Sequence, residues 1–256
     1  MRPRSFGPSG WPRNACIAAL PGNMRGMSHS SPARPACVVI GASGGIGAAL
    51  ATALEASGRP VLRLGRTTAP PLDLLDEASI AAAAEHAGHD LSLVIDATGF
   101  LHNAQFQPEK NLRQLDPAHL ALSFALNATG PALLMKHFLP RLSRAPAAVF
   151  ATLSARVGSI SDNHLGGWYA YRAAKAALNQ LVRTAAIEIA RTRPHAVCVA
   201  LHPGTVDTGL SGPFAKTGLD VQTPAEAAAR LLDVIAALTP AQTGLLLDYQ
   251  GQTIPF

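Results

Sequence analysis

The chain has 256 residues, 48% apolar and only 14% charged, with three cysteines. That length suits one domain with ample core, and an odd cysteine count without ligand spacing excludes a disulfide framework and a zinc site. The formal charge of +5 is not a basic face. Arg2, Arg4, Arg13, Arg25 and Arg34 sit in a leading stretch with no acid, and the remainder carries sixteen basic and sixteen acidic side chains. No nucleic-acid partner is therefore expected.

Residues 1–35 are rich in Pro, Gly, Ser and Arg without apolar periodicity, and read as a disordered extension ahead of a single domain over 36–256. The apolar piece 15–20 is shorter than a signal-peptide core, and prolines at 3, 8, 12 and 21 oppose a targeting helix. Met24 and Met27 offer later starts. No apolar run approaches the roughly 18 residues of a membrane span, so a cytoplasmic protein without a membrane partner is expected.

From there short apolar runs alternate with helical stretches. Strands are expected at 37–41, 60–64, 91–97, 147–153, 196–201 and 244–248, and helices at 46–57, 77–87, 117–142, 168–191 and 224–238. Asp116-Pro117 and Thr223-Pro224 each place a capping residue before a first-turn proline. The alternation implies right-handed crossovers and an α/β fold, a single doubly wound parallel-sheet Rossmann domain. Cys37 and Cys198 fall at strand starts as small core residues.

Two segments carry chemistry. The run Gly41, Ala42, Ser43, Gly44, Gly45, Ile46, Gly47 leaves the first strand and opens an Ala-rich helix. Glycines there let the backbone turn tightly and approach a pyrophosphate, which the helix N-terminus then faces. At the end of the second strand, Gly65 replaces the carboxylate that would hold the adenine ribose of NAD, and Arg66 can pair with a 2′-phosphate. NADP is therefore expected over NAD. Far downstream, Tyr171 and Lys175 are four apart on a helix, so an ammonium can sit near a phenol and lower its pKa. That pair is a candidate proton donor.

These segments resemble the short-chain dehydrogenase/reductase family. The resemblance rests on Gly41–Gly47, Asp96-Ala97-Thr98-Gly99, Asn127-Ala128-Thr129-Gly130, Ser154–Ile160, Gly166–Lys175 and His202–Thr208. Within the family the chain is similar to C-factor-like and sniffer-like carbonyl reductases. The resemblance implies a tetrad, with Tyr171 as general acid/base, Lys175 as the lysine that tunes it and binds the nicotinamide ribose, and Asn127 holding a relay water. The family's serine position holds Ala155. Ser154 is the expected substitute and Ser159 the runner-up, one of them donating to the carbonyl oxygen. For the cofactor, the resemblance implies Asp73 at the adenine, Ala97, Thr98 and Gly99 closing over it, and Pro203, Gly204, Val206 and Thr208 near the nicotinamide.

The expected activity is hydride transfer between NADP(H) and a small carbonyl or alcohol substrate, without metal. The rival reading is a dinucleotide-binding signalling protein of the C-factor kind with little turnover. Residues 209–222 are the expected specificity loop, and Trp168, Phe100 and Phe214 are candidates for an apolar wall. The helices over 117–142 and 168–191 carry more apolar surface than one sheet face requires, and the resemblance implies that they pair across a two-fold axis in an isologous homodimer.

Overall fold

A computed structural model describes residues 37–145, 147–210 and 220–256. The expected extension over 1–35, with Cys16, lies outside the described residues, as does most of the expected specificity loop, Phe214 included. In chain order the elements are β1 (Cys37–Ile40), α1 (Gly45–Ala56), β2 (Val61–Leu64), α2 (Glu77–Ala87) and β3 (Leu93–Asp96). There follow α3 (Pro117–Phe124), α4 (Gly130–Phe138), β4 (Val149–Leu153), α5 (Tyr169–Ala190), β5 (Val197–His202), β6 (Thr205–Val206), β7 (Val221–Gln222), α6 (Pro224–Ala237) and β8 (Leu246–Asp248).

Six strands form one parallel sheet in the order β2-β1-β3-β4-β5-β8. Residues 65–76 hold no strand, so β2 is left as an edge. Strand order reverses between β1 and β3, and the crevice at such a switch point is where doubly wound folds bind ligands. The pleat sends alternate residues to opposite faces. Val38 and Ile40 join Phe138, Phe150 and Leu178 on one side, while Cys37 and Val39 join Leu50, Leu54 and Leu231 on the other. Accordingly α1 and α6 pack together over one face, and α2, α4 and α5 over the other.

All six expected strands are present, five of them trimmed at one or both ends, while the one expected over 196–201 runs one residue further, to His202. Asp116 caps α3 by accepting from His119 N–H at 2.9 Å, and Thr223 with Glu226 forms a reciprocal cap on α6.

The helix expected over 117–142 is not continuous. After α3 the chain widens into a π-helical turn, Ala125–Thr129, in which Gly130 N–H donates to Ala125 O five residues back. Pro131 has no N–H, so it cannot make the ordinary bond to the Asn127 carbonyl four residues earlier. The whole stretch Pro117–Arg141 is long and apolar enough to cross a membrane by length and composition, with mean hydropathy 1.2. Here Leu134, Met135 and Phe138 from it are core residues.

Candidate active site at the sheet's C-terminal edge

The glycine turn is tied to β2, since Gly41 and Ala42 N–H both donate to Leu64 O, at 2.9 and 3.2 Å. Gly41 has φ +77°, and a Cβ there would stand 3.0 Å from the Ala97 carbonyl. At Gly47 a Cβ would collide with Gly41 O, so only glycine lets α1 start this close to the turn. No side chain caps α1 at Gly44. Its first N–H groups lack intrahelical partners and face the switch-point crevice with the positive end of the helix dipole.

That crevice is a cleft of about 570 Å³. Gly41, Ser43, Gly44, Arg66, Asp73, Ala97, Thr98 and Gly99 line it, which brings together the residues expected at the phosphates, at the adenine and closing over the cofactor. Arg63 is spent on Glu55, at 2.9 and 2.7 Å, and on Thr52. Arg66 is exposed and lines the cleft beside Gly65. Gly45 and Ile46 open α1, and a Cβ on Gly45 would touch Thr208 Cγ2 at 2.9 Å, which places Thr208 beside the helix start. Pro203 O accepts from Gln222 Nε2 at 3.1 Å. Gly204 has φ +82°, and Val206 is buried in β6.

Behind the cleft, Asp96 is fully buried. Its Oδ1 accepts from the Thr98 N–H and hydroxyl, and its Oδ2 from the Thr152 hydroxyl at 2.7 Å. Burial still pushes its pKa up, against those hydrogen bonds and the Lys175 charge. The Thr98 hydroxyl is thus turned into the sheet. Asn127, in the π turn, uses its amide to hold Phe100: Oδ1 accepts from Phe100 N–H at 3.0 Å and Nδ2 donates to Phe100 O at 2.7 Å. Phe100, His102 and Leu126 continue the cleft wall.

On α5, Tyr171 and Lys175 share a face as their spacing requires, with Nζ 5.8 Å from the ring centroid. Lys175 is 2% exposed and donates to Leu153 O at 2.8 Å. Desolvation lowers its pKa to about 8, with Asp96 opposing. The expectation that Lys175 would depress the tyrosine pKa is corrected here. Desolvation pushes the phenol of the half-buried Tyr171 above its ordinary value, because it disfavours the phenolate. Trp168 meets the tyrosine ring edge-on at 6.2 Å.

Ser154 is also placed differently from expectation. It is buried, and its hydroxyl donates to Asn179 Oδ1 at 2.7 Å, one turn beyond Lys175. A serine has one proton to give, so in this arrangement none remains for a substrate carbonyl. Ser159 is buried too and accepts from Asp162 N–H at 3.1 Å. Sequence reasoning gave no role to Asn179, nor to Glu109 and His119, which form a buried pair beside the start of α5. Among the described residues, no group of three or more His, Cys, Asp or Glu could hold a metal ion.

A family model described as enoyl-(acyl carrier protein) reductase matches residues 41–235. The chain is 39% identical to the C-signal of Myxococcus xanthus over 147 residues, 57% of this chain and 83% of that one. It is 28% identical over 225 residues to the 1-hydroxy-2-glutathionyl-2-methyl-3-butene dehydrogenase of Rhodococcus sp. strain AD45, covering 84% of this chain and 96% of that protein. The structure of an NADPH-bound carbonyl reductase from chicken fatty liver superposes with a TM-score of 0.75 at 27% identity, covering 86% of this chain and 98% of the other. The family match spans most of the described residues, glycine turn and α5 included, and the chain belongs to the short-chain dehydrogenase/reductase family of oxidoreductases.

Proposed function

We propose that the protein is an NADP(H)-dependent reductase of small carbonyl compounds, with Tyr171 as the proton donor. One observation carries the reading: Tyr171 and Lys175 stand a turn apart on α5, with Nζ anchored to Leu153 O where β4 reaches the sheet's C-terminal edge. A binding protein has no need of a buried lysine there.

The cleft fits a dinucleotide, since it combines uncapped α1 N–H groups, a turn that only glycine permits and an exposed arginine in place of a ribose-binding carboxylate. Gly41, Ser43, Gly44 and the first turn of α1 would hold the pyrophosphate, Arg66 the 2′-phosphate and Asp73 the adenine end. Ala97, Gly99, Pro203, Gly204, Val206 and Thr208 would frame the nicotinamide end, with Lys175 on its ribose. When bound, NADPH supplies the hydride.

The remaining chemistry belongs to the chain. Burial keeps the Tyr171 phenol protonated, as a donor in the reducing direction must be, and it delivers that proton to the oxygen on which negative charge develops. Lys175, charged below about pH 8, stabilises the phenolate left behind. Asn127, within the π turn, keeps Phe100 against the cleft through its side-chain amide and is the residue assigned to the proton relay. Ala155 and the Ser154–Asn179 bond leave Tyr171 as the principal donor to the carbonyl oxygen.

The experiment is a fluorescence titration with NADPH, followed by turnover on a panel of aldehydes and ketones with Tyr171→Phe as control. Tight binding with no turnover on any carbonyl would favour the second reading, a dinucleotide-binding signalling protein, which the identity to C-signal and the absent serine donor support. We further propose an isologous dimer through α3–α5, whose outer faces leave Phe124 37% and Ile187 51% exposed.

A further inference from the structure

We propose that the buried Glu109–His119 pair is a positioning device for the catalytic helix, fixing the first turn of α5, and through it Tyr171, against the wall that Asn127 holds. Its bearing on catalysis rests on the function proposed above.

Glu109 and His119 are only 2% and 4% exposed, and neither belongs to the cleft or the tetrad. Oε2 accepts from the Ala170 N–H at 3.3 Å, while Oε1 lies 3.1 Å from Nδ1 of His119 without a hydrogen bond among the described residues. The Glu109 main-chain carbonyl also accepts from the Trp168 N–H.

These bonds stand where α5 has no cap of its own. The residue before its first turn is Trp168, in the left-handed region at φ +53° and offering no side-chain cap. Gly166 and Gly167 before it are left-handed as well, and a Cβ on Gly167 would come within 3.3 Å of Glu109 O. The first N–H groups of a helix need outside acceptors, and a carboxylate there also opposes the helix dipole favourably. Glu109 supplies both, 61 residues away in sequence. Tyr171 follows Ala170 directly.

The other end of the pair is equally fixed. The imidazole of His119 stacks on Phe106, with centroids 4.9 Å apart and planes at 3°, and meets Phe100 edge-on at 6.1 Å. Phe100 is the residue whose N–H and carbonyl are both taken by the Asn127 amide. A continuous set of contacts therefore runs from Asn127 through Phe100, His119 and Glu109 to the turn that carries Tyr171. Stability alone is a poor account of such a pair, because replacing two buried polar partners by apolar groups of similar shape can be nearly neutral.

Three variants test this: Glu109→Ala, Glu109→Gln and the double replacement Glu109→Met/His119→Leu, which keeps the core filled. Each is measured for carbonyl turnover, for NADPH affinity by fluorescence, and for amide exchange across residues 168–173. The Ala and double variants should lose about tenfold or more in kcat while NADPH affinity stays within about twofold, since small misplacements of a reacting group are costly. The Ala170 amide should exchange about tenfold faster in both. Glu109→Gln keeps an acceptor for Ala170 and should recover kcat and exchange to within about threefold of wild type. A folded double variant with wild-type kcat and exchange would overturn the proposal, as would a Gln variant no better than Ala. The exchange data decide the positioning role even if wild type turns over no carbonyl, so failure of the enzymatic reading is told apart from failure of this one.

Discussion

The hydroxyl of Ser154 donates to Oδ1 of Asn179 at 2.7 Å, and Asn179 in turn donates to Gly158 O at 3.4 Å. The bond pins the end of β4 to α5, and it consumes the one proton a substrate carbonyl would have received. Removing a true oxyanion donor costs about 10²–10³ in kcat. Ser154→Ala should instead keep kcat within about fivefold of wild type, with a modest loss of melting temperature from the unpaired Asn179. A hundredfold drop at unchanged stability would show that the hydroxyl leaves Asn179 during catalysis.

Lys175 links the site to stability. Its pKa of about 8 in the folded protein lies below the ordinary 10.5. Between those values the unfolded chain holds a proton that the folded one has released, so the lysine makes stability rise with pH across that window. Below pH 8 both states are charged and the buried cation costs most. In cofactor-free protein at pH 7, Lys175→Met should be more stable than wild type by about 1–2 kcal/mol after loss of the Leu153 hydrogen bond. The gap should close toward pH 10.5. Denaturant melts at several pH values check this, and a variant less stable at pH 7 with a pH-independent difference would contradict it.

Arg66 lines the cleft where a ribose-binding carboxylate would otherwise stand. Arg66→Ala should weaken NADPH by about 1.5–3 kcal/mol, the scale of a charge-assisted contact, and leave NADH nearly unchanged. Parallel titrations with both nucleotides measure it. Equal weakening of the two would remove Arg66 from the 2′-phosphate.

Much of this was legible in the chain because the signals were local. The glycine turn, the capped helix starts at Asp116 and Thr223 and the apolar strands each depend on neighbours in sequence. The placement of Ser154 was not, because which face a residue presents at a strand end changes with a one-residue shift. The π turn could be suspected from Pro131 but not its form. Glu109, in Pro108-Glu109-Lys110, reads as a solvated charged loop; only the packing of α3 and α5 buries it. Four-residue spacing likewise brought Lys175 to Tyr171 but said nothing of the desolvation that raises the phenol's pKa.

Tyr171→Phe tests the central claim most directly, because it keeps the ring against Trp168 and removes only the hydroxyl. NADPH affinity should remain within about twofold of wild type while carbonyl turnover falls by at least about 10²-fold, the scale of a lost general acid. A Tyr171→Phe protein that binds NADPH and reduces carbonyls at the wild-type rate would contradict the mechanism.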